Sequence, residues 1–70
     1  MKYAIIIEPT NTGFSAYCPD LPGCISTGRT RGEVEENMRE AVLFHWDGMR
    51  AEGLEIPSPS SDVGHVEVSV

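Results

Sequence analysis

The sequence predicts an α+β fold of order β-β-β-α-β, in which a mostly antiparallel four-stranded sheet has one helix packed on one face. Three observations predict it: a β-branched run near the start, a proline-free stretch with helical periodicity in the middle, and a strictly alternating valine pattern at the end. We expect the 70 residues to form one domain, residues 1–70. A domain of this size buries only about 60% of the surface that its unfolded chain exposes, so association with other subunits would add stability.

The first two strands are predicted to form a hairpin. Residues 3–8 contain three consecutive isoleucines, a pattern that suits a strand covered on both faces, so we expect this strand to be the most central one. Residues 9–13 supply turn-forming side chains, and residues 14–18 resume an extended pattern.

A third short strand is predicted at residues 24–28, followed by a helix from residue 31 to about residue 52. Thr30 is a suitable N-cap for this helix, and Glu33 lies where it completes a capping box. Six residues recur at helical spacing and are expected to face the sheet: Val34, Met38, Ala41, Val42, His45 and Met49.

The end of the chain is predicted to return along the sheet as a fourth strand. Gly53 suits the C-terminal end of the helix, and the prolines of residues 54–61 favour an extended connection. Residues 65–70 alternate strictly, which places their three valines on one face of a strand: Val66, Val68 and Val70.

The charge of the chain favours a basic protein as partner. There are 11 acidic and 5 basic residues, which gives a net charge of −6 at pH 7. Because binding to a phosphate backbone needs clustered lysine and arginine, we expect no direct nucleic-acid binding. The N-terminus has no long apolar stretch and no small-residue cleavage site, so we expect no signal peptide, no membrane span and a cytoplasmic location.

Two cysteines bracket the conspicuous stretch CPDLPGC, residues 18–24. The spacing of Cys18 and Cys24 differs from that of zinc ribbons and thioredoxin-like sites, and only His45 and His65, far apart in sequence, could complete four metal ligands. A disulfide is the other alternative, but in a reducing compartment free, half-buried thiols are favoured. We therefore expect no metal and no cofactor.

The sequence contains no recognisable catalytic constellation. His45 lies within the apolar face of the helix, where a hydrogen-bonded core histidine is favoured over a catalytic base. His45 and Asp47 do not share a helix face, so they cannot converge on one substrate atom. Neither a nucleophile with a nearby base nor a glycine-rich phosphate loop is present, and we expect no enzyme activity.

Large apolar residues outside the predicted core suggest self-association as a dimer or higher even oligomer. Leu43, Phe44 and Trp46 lie off the buried face of the helix and would form an unusual patch on a small monomer. The alternative is that Phe44 and Trp46 flank a wide buried stripe. If the strand that contains Val66 and Val68 lies at an open edge of the sheet, it would pair with another chain. The alternative is that these valines complete the sheet under the helix.

An ordered set of motifs resembles the HicB-like antitoxins. The set comprises Gly13-Phe14, Pro-Asp-Leu-Pro-Gly-Cys at residues 19–24, Thr-Gly-x-Thr at residues 27–30, an acidic amphipathic helix, and Ile-Pro-x-Pro at residues 56–59. Each motif is weak alone, but together they span almost the whole chain in this order and spacing.

The resemblance implies a partner-binding role. HicB-like proteins bind and neutralise HicA toxins, which are small basic messenger-RNA ribonucleases with a double-stranded-RNA-binding-like fold. Residues 19–24 correspond to the signature turn of the family, so we expect Asp20, Leu21 and Pro22 to contact the toxin.

The chain departs from the family pattern in two places. The helix starts with Thr-Arg-Gly-Glu-Val at residues 30–34 instead of Thr-x-Glu-Glu-Ala, and the DNA-binding segment found at the C-terminus of many members is expected to be absent, so we expect no operator binding. The alternative function is that of an orphan family member acting as an oligomeric scaffold or small-ligand binder. A vestigial RNA-processing enzyme is a weaker third alternative.

Overall fold

The computed structural model describes residues 1–70 and contains three strands and one helix. The strands are β1, Ile6–Thr10; β2, Gly13–Tyr17; and β3, Ile25–Gly28. Helix α1 spans Arg31–Ala51. The strands form an antiparallel sheet in the order β1-β2-β3, and α1 packs against β3 and β2. The α+β class is confirmed, with three strands where four were expected.

Strand β2 is central and β1 lies at an edge, so the position predicted from the isoleucine run is wrong. Strand β1 begins at Ile6 and continues through Pro9 to Thr10, which leaves Asn11 and Thr12 as the turn. Pro9 lies opposite Phe14, and an edge strand tolerates proline because its outer side needs no amide donor. Ile5 and Ile7 pack against the core while Ile6 faces the other side of the sheet, so the isoleucine run indicates a strand but not how many strands flank it.

The core lies between the sheet and α1. Strand β2, α1 and residues 18–24 supply its six buried residues: Ala16, Cys18, Leu21, Cys24, Val34 and Met38. Half-buried side chains from β1, β2, α1 and the N-terminal segment pack against this centre: Tyr3, Ile5, Ile7, Phe14, Ala41, Val42, Trp46 and Met49. The predicted buried face of the helix is therefore confirmed for its five apolar members, and His45 is half-buried.

Both predicted ends of α1 are confirmed by their hydrogen bonds. Thr30 Oγ1 accepts a hydrogen bond from the Glu33 amide at 3.0 Å, as expected of the N-cap. Glu33 Oε1 accepts one from the Arg29 amide at 3.2 Å, one residue before the Thr30 amide that a capping box would use. At the other end, Gly53 adopts a φ of 73°, and the Leu54 amide donates to the carbonyl of Met49 at 2.8 Å. This is the Schellman arrangement, in which a left-handed glycine closes the last turn.

The predicted fourth strand is wrong, because residues 54–70 contain no strand. The connection after α1 is held where the Tyr3 hydroxyl donates to the Pro57 carbonyl, and again at Ser60 and Ser61. Beyond these contacts, Val66 and Val68 are 90% and 74% exposed. A segment with alternating valines forms a strand only where it can pair with the free backbone groups of another strand. The alternation itself does not specify which strand that would be.

Gly28 lets β3 approach α1 very closely. A Cβ atom at Gly28 would lie 2.5 Å from the amide nitrogen of Val34 and 2.9 Å from its Cα atom. Both are backbone atoms, and Val34 is fully buried, so neither can rotate away. A Cβ atom at Gly13 would in turn lie 2.3 Å from the Gly28 carbonyl oxygen. The absence of a side chain at Gly28 therefore sets the distance between the sheet and the helix.

We expect Gly28→Ala to lower the free energy of unfolding by about 1–3 kcal/mol, because β3 and α1 must separate to admit the methyl group. Gly48→Ala is the matched control, since a Cβ atom there has nothing within 4 Å. Alanine is favoured over glycine inside a helix by about 0.5–1 kcal/mol, so the control should be stabilised. Urea unfolding measures both changes, and a shift of the same sign in the two variants would contradict the packing argument.

Candidate functional site

Residues 18–24 form a closed turn between β2 and β3. The Cys18 amide donates to the Cys24 carbonyl at 3.1 Å, the Leu21 amide to the Cys18 carbonyl at 3.1 Å, and the Cys24 amide to the Leu21 carbonyl at 3.0 Å. Gly23 has a φ of 84°, a backbone conformation that glycine adopts without steric cost. The shape of this turn is therefore defined by its own backbone hydrogen bonds.

Three side chains of the turn point into the core. Cys18, Leu21 and Cys24 are 2%, 0% and 3% exposed, respectively. This corrects the expectation that Leu21 contacts a partner, because a fully buried side chain cannot touch a protein that binds the folded surface. Pro22 is exposed and Asp20 lies at intermediate depth, so these two remain the candidates for contact among the three predicted residues.

Both cysteines are free thiols that lie inside the core. Burial raises the pKa of the Cys24 thiol above its ordinary value, and the nearby Cys18 raises it further. The thiolate is the reactive form of cysteine and the form that binds metals, so Cys24 is held in its inert state at neutral pH. No group of three or more histidine, cysteine, aspartate or glutamate side chains is arranged to hold a metal ion.

Asp20 ties the turn to the segment that follows α1. Its carboxylate accepts hydrogen bonds from the amides of Ser60 at 3.0 Å and Ser61 at 3.1 Å, and from their hydroxyl groups at 3.1 Å and 2.7 Å. These donors, the Ser60 amide foremost, lower the pKa of Asp20 from 3.8 to about 2. We call this contact of Asp20 with Ser60 and Ser61 the Asp20 clasp.

Sequence reasoning missed the two serines of the clasp. They lie 40 and 41 residues from Asp20, and nothing in a Ser-Ser pair after a proline-containing connection indicates which carboxylate it will meet. The consequence for Asp20 is that much of its hydrogen-bonding capacity is used within the chain. A partner that meets this turn therefore meets a carboxylate that is already held in place.

The residues predicted to mediate self-association through α1 fall into two groups. Leu43 and Phe44 are 50% and 81% exposed. Trp46 is half-buried against the core, with its ring edge-to-face with Tyr3 at a centroid distance of 5.9 Å and the Arg50 guanidinium carbon 5.7 Å from its centroid. For Trp46 the alternative of a wide buried stripe is thus the correct one.

A shallow apolar groove of about 290 Å³ runs between α1 and the N-terminal segment. Tyr3 and Ile5 form one wall, and Val42, Leu43 and Trp46 form the other. The exposed Leu43 side chain therefore borders this groove, whereas Phe44 projects into solvent.

Helix α1 does not combine the length and the apolar character that crossing a membrane requires.

Comparison with known proteins shows one family. The chain matches the family model described as "HicB_like antitoxin of bacterial toxin-antitoxin system" over residues 3–68. An uncharacterized 14.9 kDa protein of Haemophilus phage HP1, from the rep-hol intergenic region, is 44% identical over 57 residues, which are 81% of this chain and 43% of that protein. Antitoxin HicB 2 of Photorhabdus laumondii is 31% identical over 61 residues, which are 87% of this chain and 44% of that protein. The chain spans less than half the length of these two relatives.

A solved structure described as the HicA3 and HicB3 toxin-antitoxin complex contains a similar chain. The two are 38% identical and superpose with a TM-score of 0.75, over 86% of this chain and 70% of that chain. The family match includes residues 18–24 and residues 60 and 61, so both halves of the Asp20 clasp lie within it.

We expect Asp20→Asn to lower the free energy of unfolding near neutral pH and to have a smaller effect near pH 2. The folded-state pKa of about 2 lies below the ordinary 3.8, so ionised Asp20 stabilises the folded chain above pH 3.8. That contribution is lost as the pH falls through the folded-state pKa. Urea unfolding of the wild type and the variant between pH 2 and pH 7 measures the difference.

Asp62→Asn is the matched control, because it also removes one negative charge, from the segment that carries Ser60 and Ser61, but leaves the clasp itself intact. In the structure Asp62 accepts a hydrogen bond from the adjacent Val63 amide at 2.8 Å. A difference between the wild type and Asp20→Asn that stays constant down to pH 2 would contradict the clasp, as would an Asp20 carboxyl that titrates at its ordinary pKa by NMR.

Proposed function

We propose that this chain, which belongs to the HicB-like antitoxin family, binds a small basic HicA-type toxin and keeps that ribonuclease from messenger RNA. The observation that carries the proposal is the family match over residues 3–68, joined to the 38% identity with a chain of the HicA3 and HicB3 complex. The net charge of −6 supports it, because an acidic protein attracts a basic one over long range and speeds their encounter.

The mechanism we propose is stoichiometric masking, without a chemical step by this chain. Family membership favours a non-enzymatic role. Two groups that could otherwise take part in chemistry are engaged or buried: the Cys24 thiol is buried and its pKa is raised, and the Asp20 carboxylate accepts hydrogen bonds from two serines. In this proposal the toxin is inhibited only while it is bound, so the duration of inhibition follows the dissociation rate of the complex. We place this interaction in the cytoplasm, where the messenger RNA is.

The proposal predicts that a small basic protein is encoded beside this chain, and co-expression with that protein tests it. That protein alone should arrest growth, and co-expression of this chain should restore it, with the two proteins co-purifying as one complex. An unrelated acidic protein of the same size and charge is the control, because it supplies the charge without the fold. Equal toxicity with and without this chain would overturn the proposal, and a self-associated chain that never retains the toxin would favour the scaffold alternative.

We further propose that the chain self-associates through the exposed apolar residues of α1. Leu43 is 50% exposed and borders the groove beside α1, and Phe44 is 81% exposed. Only six residues are fully buried within one chain, so covering these two side chains would add appreciably to a small core. Val66 and Val68, which are exposed, are the second candidate contact.

Sedimentation velocity at micromolar concentration should show a dimer or higher even oligomer for the wild type and a monomer for Leu43→Glu combined with Phe44→Glu. Val63→Glu is the control, since it places the same charge at an apolar residue that is 52% exposed but lies outside α1. Val66→Glu combined with Val68→Glu separates the two candidate contacts. A stable wild-type monomer would end the proposal.

A further inference from the structure

The sheet face opposite α1 carries an apolar row. The antiparallel register places Ile6 opposite Tyr17 and Tyr17 opposite Ile25, so three strands contribute one side chain each. Ile7 and Ala16 belong to the core under α1, and side chains alternate along a strand, so the row faces away from the helix. Ile25 is 70% exposed and Tyr17 is 42% exposed. We call these three residues the Ile6–Tyr17–Ile25 row.

The row adjoins the turn at residues 18–24. Tyr17 and Ile25 are the residues that immediately precede and follow this turn, and two of its side chains, Pro19 and Pro22, are exposed. Pro22 is one of the residues predicted to contact a partner. The row therefore extends that candidate contact from the turn onto the open face of the sheet.

The charges around the row suit a basic partner. Glu8 lies two residues after Ile6 on the same face and is the one charged residue in the three strands, which contain no base. The basic residues are located elsewhere: Arg31, Arg39 and Arg50 on α1, Arg29 just before it, and Lys2 before β1. A basic protein that covers the row thus meets an acid there and no like charge within the strands.

We propose that the Ile6–Tyr17–Ile25 row, bordered by Glu8, is the surface that docks the basic toxin, an inference that rests on the proposed function. An apolar centre with a polar rim is the usual composition of a protein interface. A buried aromatic side chain contributes about 150–250 Å², and an interface needs about 800 Å² from each partner, so the contact also includes the exposed prolines of the turn.

A second copy of this chain fits the row less well. Pairing two identical rows about a twofold axis would bring the Glu8 side chains of both copies into one small interface. The strands hold no base that could neutralise them. The row therefore favours a partner of opposite charge, whereas the exposed residues of α1 are free for self-association.

Titration calorimetry with a catalytically inactive form of the toxin tests the inference. Ile25→Lys should weaken toxin binding by about tenfold or more, because it removes an apolar contact and adds a like charge. Glu8→Gln, a substitution with little risk to folding, should weaken binding by about two- to fivefold and reduce the dependence of association on salt. Val63→Lys is the matched control, because it adds the same charge at an apolar residue that is 52% exposed and lies outside the row and outside α1, and it should bind within about twofold of the wild type.

The outcomes separate the inference from the proposed function. A wild type that does not bind the toxin overturns the proposed function and the inference with it. A wild type that binds, together with folded Ile25→Lys and Glu8→Gln variants that bind equally well, overturns the inference alone. An Ile25→Lys variant that dissociates a wild-type oligomer yet keeps full toxin affinity would assign the row to a second copy and overturn the inference.

Discussion

The burial of Leu21 is the constraint on which the rest of the structure depends. Its side chain is fully buried, and the cysteines on either side of it, Cys18 and Cys24, are buried with it. Because neighbouring residues in a strand face opposite ways, burying Cys18 turns Tyr17 outward, and burying Cys24 turns Ile25 outward. A register slip of one residue would exchange the two faces, so the anchor in the turn determines which side chains the open face of the sheet presents.

The burial of Leu21 also explains how the segment that follows α1 is attached to a small core. With Leu21 inside, the intervening Asp20 is left on the outer side of the turn, where its carboxylate meets Ser60 and Ser61. The second hold is the hydrogen bond from Tyr3 to Pro57, and Tyr3 itself packs against Trp46. The connection is therefore attached to both the turn and the helix, although it contributes no strand to the sheet.

The sequence predicted correctly those features that depend on interactions between residues close together in the chain. The ends of α1 follow from Thr30, Glu33 and Gly53, whose hydrogen bonds involve residues at most a few positions away. The edge position of β1 and the missing fourth strand depend on which backbone groups become neighbours across the chain, and side-chain patterns carry little information about that. The contact expected of Leu21 came from the family resemblance, which does not indicate the direction of a side chain. The turn closes on its own backbone and directs the Leu21 side chain inward.

The two proposed contact surfaces lie on opposite layers of the fold, and this arrangement has a thermodynamic consequence. Leu43 and Phe44 project from α1, whereas the Ile6–Tyr17–Ile25 row lies on the far side of the sheet. Contacts that share no residue and no hydrogen bond contribute nearly additive free energies. An oligomer built through α1 would thus leave every row open, so one assembly could hold one toxin per chain. Both surfaces share the core between them, in which α1 packs on β3 and β2 and approaches β3 closely at Gly28.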